Sequence, residues 1–190
     1  DYKDNTYVMI TSDNGYQLGH HRQFGKQTSF LRNAHVPMFV LGPDLNATAP
    51  TNVATRSHLS AQIDIAPTCL ELAGASIPAQ IDGKSFASLL DPNSNADPNS
   101  WRGEGIVIEH WENQFVGRHD NDVNRQLRYD VECTYSALRV GDAVYTIWAN
   151  GEREYYNVVN DPYQISNNYQ YVPAAQRAIF EGMLQYLKRD

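Results

Sequence analysis

The chain has 190 residues, of which 42% are hydrophobic and 11% aromatic, and its net charge is −7. That suits one ordinary domain, or one with a small appendage, and no apolar run approaches the ~20 residues of a membrane span. The 15 basic residues form no stripe, which argues against a nucleic-acid partner, and an anionic ligand would need a local site.

The opening residues, Asp1-Tyr2-Lys3-Asp4, run almost at once into Tyr7-Val8-Met9-Ile10-Thr11, as in a chain entered partway through a domain. This run is β-branched and apolar without alternation, which predicts a strand buried on both faces of a parallel sheet. A polar, glycine-punctuated segment, Asp13 to Lys26, follows. Val36-Pro37-Met38-Phe39-Val40-Leu41 is a second apolar run, far enough away for a crossover and too far for a tight hairpin. Ser60 to Gly74 predicts a helix: Ile63, Ala66, Leu70 and Ala73 recur at helical spacing, Pro67 sits in the first turns, and Gly74 is placed as the cap. A shorter helical piece is expected over Ser85 to Leu90. Asp91 to Ser100 is turn-forming throughout and reads as a linker.

The pattern then turns antiparallel. Gly105 to His110, Tyr135 to Val140, Ala143 to Trp148 and Glu154 to Val158 read as four strands, with Gly141-Asp142 and Asn150-Gly151 as turns. Ala174 to Lys188 reads as a closing helix with Ile179, Phe180, Met183, Leu184 and Leu187 on one face. The expected class is therefore α/β, divided into an α/β part over 1–92 and a small antiparallel sheet with a terminal helix over 93–190. The two cysteines leave a disulfide open. Cys69 reads as a buried small hydrophobe in its helix, and Asn46-Ala47-Thr48 is a glycosylation sequon, relevant only in a secreted chain.

The chemistry is expected in the loop after the first strand, where open α/β sheets bind ligands. Asp13 and Asn14 offer a carboxylate and an amide oxygen, hard donors of the kind Ca²⁺ accepts. Asn14-Gly15 is equally a hairpin signal, although the residues beyond it make a poor returning strand. Lys26 alone reads as a surface charge, and His20-His21 as surface residues, metal ligands or proton donors; zinc is disfavoured because its usual partner spacing is missing. His35 and His58 carry no assigned role, and Glu104, Glu109 and Glu112 read as surface charge.

In order, the chain carries Thr11-Ser12-Asp13-Asn14-Gly15-Tyr16, Gly19-x-His21-Arg22, Gly25-Lys26-x-Thr28-x-Phe30, Val36-Pro37-Met38-Phe39-Val40, Ile63-Asp64-Ile65-Ala66-Pro67-Thr68 and Asp82-Gly83-Lys84-Ser85. Later come Asn150-Gly151-Glu152-x-Glu154-x-Tyr156-Asn157 and Asp161-Pro162-Tyr163-x-Ile165-x-Asn167. This ordered set resembles the type I sulfatases, closest in look to the N-acetylglucosamine-6-sulfatase and fungal arylsulfatase branch. The resemblance implies the C-terminal portion of an alkaline-phosphatase-like mixed sheet sandwiched by helices, residues 1–92, followed by the small sheet and helix.

It further implies Asp13 and Asn14 as Ca²⁺ ligands, Lys26 as a sulfate contact, and His21 facing the same pocket as a proton donor. It implies a sulfated small molecule or carbohydrate as substrate, and a secreted, periplasmic or lysosomal location. The family commonly has an acidic residue after the aromatic of the lysine block, where Leu31 stands here, and the segment from Arg22 to Lys26 is slightly short. Sulfatases make a formylglycine nucleophile from a Cys-x-Pro-x-Arg motif, which neither Cys69 nor Cys133 supplies. The nucleophile and the remaining Ca²⁺ ligands are expected in an N-terminal portion outside these residues. Taken alone, the chain is expected to be inactive and to hold Ca²⁺ weakly or not at all. The alternatives are a non-catalytic binding module derived from a sulfatase, and a phosphate mono- or diester hydrolase of the same superfamily.

Overall fold

The alternating segments late in the chain form an antiparallel meander in the computed structural model, which describes residues 5–43, 55–91, 94–111 and 134–188. Asn46-Ala47-Thr48, Pro92-Asn93, Glu112, Cys133 and the opening Asp1 to Asp4 lie outside the described residues. The chain divides into two compact units, Asp1–Asp13 with Pro37–Gly103 and Asn14–Val36 with Glu104–Asp190.

In the second unit the strands β5 (Ile106–His110), β6 (Tyr135–Val140), β7 (Ala143–Trp148) and β8 (Arg153–Asn157) pair in sequence order, every neighbour antiparallel. Val140 faces Ala143 across the Gly141-Asp142 turn, and Gly141 takes the left-handed φ of 48° that such a turn needs. Helix α5 (Ala174–Leu187) covers one face. Phe180 and Leu184 are buried with Leu138, Ala143, Tyr145 and Val172, and Met183 and Leu187 pack at the margin. Each fully buried side chain of this kind contributes about 1.5–3 kcal/mol. Ile179 departs from expectation and is 54% exposed. One helix against a sheet buries a narrow stripe, and Phe180 and Leu184 fill it.

The other face of the sheet is buried by residues far away in sequence. Val144, Thr146 and Ala137 are inaccessible, and the Thr146 hydroxyl lies 2.9 Å from that of Ser29. Residues 14–36 supply this cover. They contain β2 (Gln17–Leu18) paired with β3 (Phe24–Gly25) and the one-turn helix α1 (Leu31–Ala34), with Phe30 packed against Tyr156 at 6.0 Å between ring centroids.

The first unit corrects the expected parallel strands. β1 (Val8–Thr11) and β4 (Met38–Leu41) pair antiparallel, Val8 opposite Leu41 and Thr11 opposite Met38. A long connection permits a parallel crossover but does not require one. Nor is β1 buried on both faces, since Val8 and Ile10 are about half exposed. The expected helix is a short 3₁₀ turn, Gln62–Asp64, running into α2 (Ile65–Leu72), capped by Gly74 at φ 69° with Ala75 N–H donating to the Leu70 carbonyl at 2.9 Å. Its buried residues are Asp64, Pro67 and Thr68, whereas Ile63, Ala66, Ala73 and Cys69 are exposed. The apolar stripe and the buried cysteine read from the sequence are thus overturned.

Polar chemistry explains the reversal. The Asp64 carboxylate accepts from the amides of Ala61 (2.8 Å) and Lys84 (2.7 Å) and pairs with the buried Arg102 guanidinium. Thr68 Oγ donates to the Asp64 carbonyl at 2.6 Å and accepts from the Phe86 amide at 3.0 Å. These bonds hold α2 against the segment leading to α3 (Ala87–Leu90). The expected linker also carries a helical turn, α4 (Pro98–Trp101), whose N-cap Asp97 accepts from the Asn99 amide at 3.1 Å. His58 acquires a structural place beside it, 2.9 Å from the Ala96 carbonyl and edge-on to Trp101.

Candidate functional site

Asp13 lies just past β1 in the first unit, with its side chain exposed. The chain does not fold back here, because the partner of β1 is β4, so the hairpin alternative for Asn14-Gly15 does not apply. Gly15 serves close approach instead. Its amide donates to the Asn33 carbonyl at 2.7 Å, and a Cβ at this position would overlap the backbone oxygen of Arg32.

Asn14 opens the second unit. Its amide nitrogen donates to the Gly15 carbonyl at 2.8 Å, and its Oδ1 accepts from Lys26 Nζ at 3.2 Å. Lys26 follows β3 and is half-buried, so its ammonium is held rather than freely solvated. The two residues that the resemblance placed at one site are in contact.

β2 and β3 are the stems of a small hairpin whose tip is the 3₁₀ turn His20–Arg22. His21 and Arg22 both take left-handed backbone angles, φ 52° and 58°, which non-glycine residues rarely adopt. Closure comes from the Arg22 amide donating to the Gly19 carbonyl at 3.1 Å and the Gln23 amide to the His20 carbonyl at 2.9 Å. The His21 ring lies flat on Phe30, centroids 3.8 Å apart and planes 3° from parallel. Burial pulls the His21 pKa below its ordinary value; the Tyr163 backbone carbonyl opposes this, His20 adds to it, and the Asp161 carboxylate opposes it. His20 is engaged elsewhere, with Nε2 3.1 Å from Arg32 Nη2.

Beneath the hairpin, Thr28 Oγ accepts from Gln17 Nε2 at 3.2 Å and from Asn33 Nδ2 at 2.7 Å. The Leu31 amide donates to Gln164 Oε1 at 2.6 Å. Sequence reasoning named none of Gln17, Asn33 and Gln164 as part of this assembly. A buried amide side chain leaves no local pattern, and Gln164 is 133 residues from its partner.

Asp13 and Asn14 are right in kind for Ca²⁺, and the Asn14 oxygen already accepts from a cation, Lys26. In number they fall short of the ~6–8 oxygens the ion takes. Among the described residues no group of three or more His, Cys, Asp or Glu is arranged to hold a metal ion. These two residues fit part of a ligand set.

Residues 1–75 match the family model described as Sulfatase. The chain is 28% identical to the arylsulfatase of Chlamydomonas reinhardtii over 194 residues, covering 97% of this chain and 30% of that protein. It is 32% identical to the N-acetylglucosamine-6-sulfatase of Bos taurus over 189 residues, covering 86% of this chain and 31% of that one. The chain belongs to the sulfatase family. A solved structure of a protein in complex with its substrate D-glucosamine-2-N,6-O-disulfate superposes with a TM-score of 0.72 at 26% identity, over 96% of this sulfatase-family chain and 34% of the other. The chain thus spans about a third of the length of the relatives it matches. No helix among the described residues is long and apolar enough to cross a membrane.

Proposed function

We propose that this chain is part of a sulfuric ester hydrolase that cleaves sulfate esters by a calcium-assisted formylglycine mechanism, with the nucleophile supplied from outside these 190 residues. The observation that carries the reading is the contact between Lys26 and Asn14, in the same loop segment as the strained turn that holds His21. Hydrolysis of a sulfate ester gathers negative charge on the sulfate oxygens and releases an alcohol that needs a proton. The Lys26 ammonium would stabilise that charge where it develops. The His21 imidazolium would give its proton to the leaving oxygen. Asp13 and Asn14 would contribute to holding Ca²⁺, and the ion, when bound, supplies further charge stabilisation at the same oxygens. The substrate class is a sulfated small molecule or carbohydrate, an amino sugar sulfate among them, and a secreted, periplasmic or lysosomal location suits it.

The test uses the intact protein that contains this chain, assayed with an aryl sulfate and an aryl phosphate, with and without a calcium chelator. Sulfate release that disappears in Asp13→Ala, with circular dichroism unchanged, supports the reading. A fully active Asp13→Ala removes the metal assignment, and preference for the phosphate ester favours a phosphate hydrolase. Residues 1–190 alone are expected to show negligible turnover; robust sulfate release by them would refute the placement of the nucleophile elsewhere.

A further inference from the structure

Gln164 is 2% exposed and has φ 54°; among the described residues, only His21 and Arg22 share a positive φ without being glycine. Its loop is fixed from within. The Asp161 carboxylate accepts from the amides of Ile165 (3.0 Å) and Ser166 (2.9 Å), and the Gln164 amide donates to the Asp161 carbonyl at 3.0 Å. The side chain reaches across to the Leu31 amide at 2.6 Å. Two residues earlier, Ser29 is anchored to Thr146 by a buried hydroxyl pair at 2.9 Å. Phe30 lies between these anchors in sequence, with the His21 ring stacked on it and the Tyr156 ring tilted against it.

Anchors on either side of one residue leave its ring little freedom to slide or tilt. The ring that supports the imidazole is therefore fixed by the small sheet and the loop after it. Gln164 grips the backbone of Leu31, not its side chain. Gln164 uses its oxygen there, while its buried Nε2 finds no hydrogen-bond partner among the described residues.

We infer that Gln164 is a positioning residue for the reaction, holding His21 in place through the Ser29-Phe30-Leu31 segment. The inference rests on the reading of His21 as a site residue proposed above. An acceptor oxygen is what the position needs, so Gln164→Glu keeps the function and the nearly isosteric but non-accepting Gln164→Leu loses it.

The experiment compares Gln164→Leu and Gln164→Glu in the intact protein. Gln164→Leu is expected to lower kcat by roughly tenfold or more with KM within about twofold, the signature of lost alignment rather than lost binding. Gln164→Glu should restore most of that kcat. The His21 ring-proton resonances, shifted by stacking on Phe30, should move toward their unstacked positions in Gln164→Leu and return in Gln164→Glu. If Gln164→Leu fails to fold, Thr146→Val, which cuts the other anchor while keeping its shape, should give the same resonance shift with a smaller loss of kcat.

Wild-type kcat and an unmoved His21 signal in the folded variant would overturn the inference, as would equal impairment of the Leu and Glu variants. The readings it rests on fail separately: the sulfatase reading if the wild-type protein releases no sulfate, and the site role of His21 if His21→Ala is fully active. In that case the His21 resonances still decide whether Gln164 positions the ring.

Discussion

Lys26 Nζ lies 3.2 Å from Asn14 Oδ1, so the residue assigned to the sulfate and one assigned to the metal share a hydrogen bond. An amide oxygen carries two lone pairs and can serve both an ammonium and a metal ion. Removing the ammonium should therefore separate the two roles. In the intact protein, Lys26→Met is expected to lower kcat/KM for an aryl sulfate by about a hundredfold or more. Calcium affinity, measured by titration calorimetry, should hold or rise. A Lys26→Met protein that loses calcium and keeps its turnover would reverse the assignment.

As the proposed proton donor, His21 should set a pH dependence whose sign follows from its surroundings. Burial disfavours the imidazolium, and His20 adds to that, against the Tyr163 carbonyl and Asp161, with a net lowering. Only the protonated ring can donate to a leaving alcohol. The alkaline fall in kcat/KM, which follows the free protein, should thus begin below the ordinary histidine value of about 6.5, and His21→Gln should abolish that limb. The same lowered pKa favours the folded state above the ordinary value, and this contribution is lost as pH falls through it. Acid unfolding of His21→Gln should accordingly be less steep near that pH, as followed by circular dichroism.

Asp64 carries two backbone amides and the Arg102 guanidinium on one buried carboxylate. Taking one partner from a buried ion pair costs more than the pair itself contributes, because the other charge stays buried. Asp64→Ala is expected to destabilise the protein by about 3–5 kcal/mol, read as a lowered urea midpoint. A change below 1 kcal/mol, by the rough scale of exposed pairs, would mean that water already reaches Arg102.

Gly15 and Gly103 make a matched test of close approach. A Cβ at Gly15 meets the Arg32 backbone oxygen, and one at Gly103 meets nothing within 4 Å among the described residues. Gly15→Ala should cost about 1–3 kcal/mol through displaced backbone and weaken Lys26-dependent turnover, while Gly103→Ala should change the thermal midpoint little. Equal effects would remove the packing explanation.

The small sheet was legible because its signals are local. Alternation, Gly141-Asp142 and Asn150-Gly151 each act within a few residues, and α5 follows from one periodic stripe. The candidate loop was marked in the sequence by Asp13, Asn14, His21 and Lys26, which stand in ordered blocks along the chain, and the structure brings Asn14 and Lys26 into contact. What failed to show depends on distant partners. Thr146 reads as a strand residue, and nothing near it announces Ser29. Asp64 reads as a polar interruption of a helix, yet it is buried while the apolar Ile63 beside it is not. The direction of β1 failed for a related reason: an apolar run signals burial, while orientation is set by the path of the chain between strands.

The β1–β4 ribbon has a colloidal consequence. Its register places Val8, Ile10, Phe39 and Leu41 on one side, each 46–58% exposed. A hydrocarbon strip exposed on a ribbon that has two strands among the described residues is sticky, and its tackiness grows with crowding. Light scattered by dilute solutions of residues 1–190 should climb with concentration, and a lysine in place of Ile10 should flatten that climb.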